Sequence, residues 1–232
     1  MFMKDSLENE KALKSPLGGF IGIIIAVLAI FLVIPLFWNT FDAHLALQIC
    51  FTLLLLSTLW MISGTRLVFL LGLTLVIPFI VFDSLSVYNN SMFYMVIAYS
   101  LHCAFLFFAI IILFRKVLTV DFIDTNLIFR AITIYLLGGI FCAKLYFVID
   151  SILPGSFKGI EYIDVKTSGL ESGYSNQFNL LYYSFTTLAT LGVGDITPLH
   201  RLAKTLTMLE AMFGQLFVAT VIAKLVSIWR RK

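Results

Sequence analysis

The residues best suited to chemistry stand six in a row, Thr190-Leu191-Gly192-Val193-Gly194-Asp195. Gly192 and Gly194 alternate with residues that carry side chains, and glycine takes positive φ without steric cost. An extended strand with that alternation can turn successive backbone carbonyls to one side, which makes a row of oxygen ligands for a hard cation. Thr190 adds a hydroxyl at one end of the row, and Asp195 adds negative charge at the other. Just upstream, Phe178 to Thr190 reads FNLLYYSFTTLAT, an apolar and aromatic run worth about 20 Å of helix at ~1.5 Å per residue. Ser175 or Asn176 is expected to cap its start, and the Gly-x-Gly-Asp turn ends it. Its C-terminal carbonyls, worth about half a negative charge, would point where a cation is wanted.

Lys144 and Glu210 are the two charges that fall well inside apolar runs, where each costs about 2.5–3.5 kcal/mol at a bilayer centre. Counted from the ends of their runs they lie at matching depth, so an ion pair or water-linked contact between them is expected behind the six-residue segment. His44, His102 and His200 are scattered over a loop, a helix and the end of the six-residue region, and form no metal or catalytic set. The packing or interfacial role suits them, with His200 a candidate for external pH sensitivity. Cys50, Cys103 and Cys142 show no pairing or metal-ligand spacing and read as buried small hydrophobes. No nucleophile–base grouping, phosphate loop or nucleic-acid patch is present, so the sequence argues for neither an enzyme, a cofactor nor a nucleic-acid partner.

What must position these residues is a set of membrane helices. Hydrophobic residues make up 60% of the chain and charged ones 12%, too few polar groups to coat a water-soluble globule. Six apolar runs are long enough to cross a hydrocarbon core that needs about 20 residues of helix: 17–38, 44–63, 66–85, 92–114, 128–152 and 202–229. The polar leader, Met1 to Ser15, and the length of the first run speak for a retained helix rather than a cleaved signal. Placing both termini in the cytoplasm puts eleven Lys and Arg inside and four outside, the bias of the positive-inside rule for a multi-pass protein of the cell (plasma or inner) membrane. The stretch 153–201 is too long for a simple turn. Its first half, Leu153 to Gln177, reads as an exposed extracellular turret, and its second half as a re-entrant helix with the extended glycine segment. Non-helical backbone at membrane depth survives only when protein covers it or it lines a wet cavity. The fold class expected is therefore all-α, with six transmembrane helices and a re-entrant segment between the fifth and sixth.

Tyr182 to Pro198, YYSFTTLATLGVGDITP, resembles the pore loop of the potassium-channel family, its bacterial ion-channel members in particular. The run Leu209-Glu210-Ala211-Met212-Phe213-Gly214-Gln215-Leu216 resembles their inner helix, and the likeness covers roughly residues 128–232. The resemblance implies that Thr190, Leu191, Gly192, Val193 and Gly194 coordinate K⁺, chiefly through backbone oxygens. By the same alignment Asp195 stands at the outer mouth, Tyr182 and Tyr183 brace the filter, Gly214 is a hinge, and Gln215, Val218 and Ile222 face the cavity. Val193 replaces the family's usual Tyr or Phe, and Leu191 its Val or Ile, which puts strict selectivity for potassium over sodium in question.

The apolar runs and the resemblance together are read as a cytoplasmic segment 1–16, a four-helix region 17–115 and a pore domain 116–232. One chain offers one filter segment and a carbonyl ring needs four, so the expected unit is a homotetramer in contact with membrane lipids, passing K⁺ passively with no cofactor. The alternatives are a non-selective monovalent cation channel and a non-conducting membrane sensor or assembly subunit. A transporter with four pore repeats in one chain does not fit a single repeat. The fourth helix, Ser91 to Phe114, carries no Arg or Lys, so steep voltage gating of the arginine-ladder kind is not expected. Pro35 and Pro78 are candidate kinks. Arg115 to Arg130 reads either as an interfacial helix or as a plain cytoplasmic loop.

Overall fold

A computed structural model describes residues 16–37, 41–119, 125–161 and 170–229. The leader, the short segment 38–40, residues 120–124, turret residues 162–169 and the C-terminal 230–232 lie outside the described residues.

Seven helices are described: α1 Pro16–Phe37, α2 Phe41–Ile62, α3 Arg66–Asn89, α4 Met92–Leu118, α5 Thr125–Ile152, α6 Leu170–Leu188 and α7 Arg201–Trp229. Two short strands, β1 Phe157–Lys158 and β2 Thr197–Pro198, join them. Six of the helices coincide with the six apolar runs. Among the described residues α3, α4, α5 and Arg201–Lys224 of α7 are long and apolar enough to cross a membrane, with shorter apolar stretches at Leu17–Leu32 and Ala46–Ile62. On α1 the exposed residues Ile21, Ile25, Leu28 and Leu32 recur at helical spacing, a stripe suited to lipid or protein rather than water.

Local chemistry sets the ends. The Thr65 side chain accepts from the Val68 N–H at the start of α3, and Asn90, in the left-handed region at φ 47°, closes its other end. α4 ends with Arg115 and Lys116 in its last turn, where cations complement the helix dipole. Lys116 reaches across to the Ile62 carbonyl at the end of α2, 3.0 Å away. Lys224 of α7 donates to the Val117 and Leu118 carbonyls at the end of α4. Residues Arg115 to Leu118 and Thr125 to Arg130 thus belong to the ends of two long helices rather than to a separate interfacial helix.

α5 is the hub, packed by α1, α4, α6 and α7. Its Leu137, Ile140, Tyr146 and Phe147 are fully buried. Around it α1 pairs with α2 and α3 with α4.

The helix before the glycine segment is longer than the sequence implied. It runs from Leu170 rather than from Phe178, so the second part of the expected exposed turret is folded, with Tyr174, Asn176 and Gln177 buried. Ser175 and Asn176 are therefore interior to the helix and do not cap it. The Asn176 side chain instead accepts from the Glu161 N–H (3.1 Å) and donates to the Glu161 carbonyl (2.6 Å). That two-way pairing imitates a strand partner and ties the outer loop to the helix.

Candidate functional site

α6 ends beside the middle of its neighbours. The Tyr135 hydroxyl of α5 donates to the Leu188 carbonyl at 3.3 Å, and Gly214, halfway along α7, lies against the same carbonyl. The chain then returns outward through Thr190–Asp195 to β2 and the start of α7.

The turn that reverses it is a Schellman motif. The Leu191 N–H bonds the Thr186 carbonyl (2.8 Å) and the Thr190 N–H bonds the Thr187 carbonyl (2.9 Å), which leaves Thr190 at the left-handed position usually given to glycine. Its φ is +57°, followed by +59° at Gly192 and +87° at Gly194, whereas Leu191 and Val193 keep negative φ. Positive and negative φ alternate over five residues, the backbone pattern that turns successive carbonyls to one side. A β-branched residue at positive φ is costly, by about 1–3 kcal/mol. Such strain is found where the surroundings hold it in place. Here the Thr190 hydroxyl donates to the Ala189 carbonyl (2.7 Å) and accepts from Gln215 Nε2 (3.0 Å).

Tyr182, Tyr183 and Asp195 lie beside this segment. Tyr183 is buried, its hydroxyl 2.8 Å from that of Thr207, and its ring packs edge-on to Tyr146 and Phe157, with centroids 5.4 Å apart in both cases. Tyr183 also lines a cavity of about 300 Å³ together with Thr187, Thr190, Val193 and Asp195. Tyr182 lies within hydrogen-bonding reach of the Asp195 carboxylate and shares a second, aromatic pocket with Phe31, Phe178, Phe185 and Leu191. Asp195 is exposed, and its Oδ1 accepts from the Ile196 N–H at 2.9 Å. On α7 the exposed residues Gln215, Val218 and Ile222 share the face that meets Thr190.

The expected contact between Lys144 and Glu210 does not form. Glu210 is 3% exposed and accepts from Tyr146 at 2.5 Å and from Ser184 of α6 at 2.5 Å. Ser184 also reaches the Gly139 carbonyl, at 2.7 Å. Glu210 thus ties α7 to α6 and α5, on the side of α5 that faces α6 and α7. Lys144 faces the other way, its Nζ 3.8 Å from the Phe51 ring centroid and 3.4 Å from that of Tyr99. Equal depth along two helices does not place two side chains on facing sides.

Sequence reasoning missed the clasp outside the glycine segment. β1 pairs antiparallel with β2, Phe157 opposite Pro198 and Lys158 opposite Thr197. The Ser156 carbonyl takes the Leu199 N–H at 2.7 Å, and Asp150 at the end of α5 accepts from the Ser156 N–H at 2.9 Å. Gly159, at φ +93°, lies so close to the Asp195 carbonyl that a side chain would overlap it. Two-residue strands fall below any usable sequence pattern, although Gly155 and Gly159 marked the turn. Among the histidines, His102 is fully buried with its ring edge-on to Phe51 and Phe79. His200 precedes α7 and accepts from the Leu202 N–H, whereas the side chain of His44 lies outside the described residues.

Residues 134–231 match the ion channel family. That stretch holds most of α5, all of α6 and the glycine segment, and α7. No curated protein and no solved structure matches the chain. Together with the apolar helices of spanning length beside it, that match points to a membrane protein.

Proposed function

We propose that the chain is one subunit of a homotetrameric channel that conducts K⁺ passively, with Thr190 to Gly194 as its selectivity filter. The observation that carries the reading is the alternating sign of φ from Thr190 to Gly194, set on the carbonyl end of α6. A dehydrated cation must be repaid for the water it sheds, and rows of carbonyl oxygens from four chains around an axis supply that coordination. Thr190 has one lone pair left after accepting from Gln215, enough for one more oxygen ligand at the inner end. α6 is then the re-entrant pore helix, its C-terminal dipole end favouring cations. Asp195 holds the outer mouth, and Gln215, Val218 and Ile222 face the cavity below. The wide exposed apolar face of α7, with Met208, Met212 and Leu216, suits packing against other copies and lipid. Both termini are cytoplasmic in this reading, and the glycine segment enters from outside the cell membrane.

A second reading, a non-selective monovalent cation channel, is favoured by Val193. Its short side chain stands 59% exposed beside the cavity of about 300 Å³, with no aromatic ring of its own to hold the filter radius. One experiment serves both. Purified protein in liposomes should take up rubidium tracer down a potassium gradient, and planar-bilayer recording then gives the permeability ratio. A potassium preference supports the first reading, a ratio near unity the second, and tracer-tight vesicles overturn both.

A further inference from the structure

We propose that a buried layer formed by Phe51, Asp83, Tyr99, Lys144 and Gln177 is the site through which α2–α4 position the pore helix, and hence the filter. The proposal rests on the channel reading. These residues lie on five successive helices, at ten, six, seven, eight and seven residues from the ends of α2, α3, α4, α5 and α6 that share one side of the bundle. At ~1.5 Å per residue that is a slab about 9–15 Å deep.

Lys144 is 2% exposed, and its Nζ has no hydrogen-bond partner among the described residues. It is held instead between the faces of two rings, Phe51 from α2 and Tyr99 from α4. The Asp83 carboxylate of α3, itself 5% exposed, is the opposite charge acting on it. His102 of α4 borders the same Phe51 ring, and its ring nitrogens have no hydrogen-bond partner among the described residues; Cys103 of α4 and Tyr174 of α6 are further titratable groups around the layer. A buried ammonium with no carboxylate in contact is a poor way to fill space. Methionine would pack as well without the desolvation cost, and ionisable residues at membrane depth default to function.

The route from that charge to the pore is short. The Tyr99 hydroxyl donates to Gln177 Oε1 on α6, while Gln177 Nε2 has no hydrogen-bond partner among the described residues. Tyr99 therefore makes the one hydrogen bond that the Gln177 side-chain amide has among the described residues. A cation over the ring face draws electron density from the phenol and makes its O–H a better donor, so Lys144 and Tyr99 act as a unit on Gln177. Gln177 stands on the same rigid helix that ends at Leu188 and the filter. A shift of α2, α3 or α4 that moves Phe51, Asp83 or Tyr99 would therefore reach the filter through its pore helix.

The test is a double-mutant cycle on the full-length protein in liposomes. Lys144→Met keeps the stem and removes the charge, and Tyr99→Phe keeps the ring and removes the hydroxyl. Each should lower the potassium-dependent rubidium flux at least about fivefold, the low end of usual coupling between sites. The double variant should fall no further than the worse single, and Lys144→Arg should restore most of the flux. Wild-type flux in Lys144→Met, no rescue by arginine, or a double-mutant loss equal to the product of the singles overturns the proposal. The same cycle is read on melting temperature in detergent, with and without potassium, which needs no conduction. Non-additive shifts that depend on potassium support the layer, and additive shifts overturn it. Wild-type vesicles impermeable to tracer would instead count against the channel reading, leaving the melting cycle to decide on the layer.

Discussion

Gly214→Ala separates two roles for that glycine. The family resemblance makes Gly214 a hinge, for which alanine changes how often the channel opens and little else. The structure gives it a packing role. A methyl group there would overlap the Leu188 carbonyl oxygen, stand 3.1 Å from its carbon and 3.2 Å from Leu188 Cδ1. Ordinary carbon–carbon contact is about 3.5–4.0 Å, so the end of α6 must retreat by at least about half an ångström. Overpacking of this kind costs about 1–3 kcal/mol, against a gain of about 1 kcal/mol from replacing glycine within a helix. The net loss is up to about 2 kcal/mol, or a few degrees in melting temperature. Because the group displaced is the carbonyl end of α6, which leads into the proposed filter, unitary conductance and the potassium-to-sodium ratio should change too. The assay pairs thermal unfolding in detergent with single-channel recording, and Gly138→Ala, whose methyl would meet only Phe213 Cε1 at 3.3 Å, is the mild control. An alanine variant with unchanged melting and unchanged unitary conductance, altered only in open probability, would refute the packing argument.

Other variants probe the same scaffold. Ser184→Ala removes the hydroxyl shared by Gly139 and Glu210 and should destabilise the protein by about 1–3 kcal/mol, since it strips a buried carboxyl of a partner; unchanged melting would show that Glu210 does not depend on it. Thr190→Gly should raise the melting temperature by releasing about 1–2 kcal/mol of left-handed strain, while tracer flux falls with the lost hydroxyl. If both move together, Thr190 is not strained in the way its φ implies. Gly159→Val should loosen the clasp on Asp195, seen as faster hydrogen exchange at the Leu199 and His200 amides, whose acceptor is the Ser156 carbonyl; unaltered exchange would mean the outer loop yields without cost.

Apolar length located the helices well, because a bilayer allows few other ways to satisfy backbone groups. The glycine segment was legible for the same kind of reason, since Gly192 and Gly194 advertise their φ. Thr190 did not, as nothing in a threonine announces a left-handed backbone; the Schellman bonds from Thr190 and Leu191 impose it. The start of α6 was missed because Leu170 to Gln177 is polar enough to resemble a surface loop, and the pairing of Asn176 with Glu161 and of Gln177 with Tyr99 is what lets its polar side chains be buried. Lys144 and Glu210 were rightly singled out as buried charges and wrongly joined. Depth can be counted along a helix, but the facing direction depended on which neighbours supplied Ser184, Tyr146 and the two aromatic rings.

The small sheet outside the glycine segment also has a mechanical meaning. β1 follows α5 directly, through Asp150 and Ser156, whereas β2 leads straight into α7. On the proposed channel reading, the outer rim of the glycine segment is stapled to both long helices of its chain at once, so that any relative tilt of the two is felt as shear there. The rim is then the natural place for such a tilt to be translated into a change of bore.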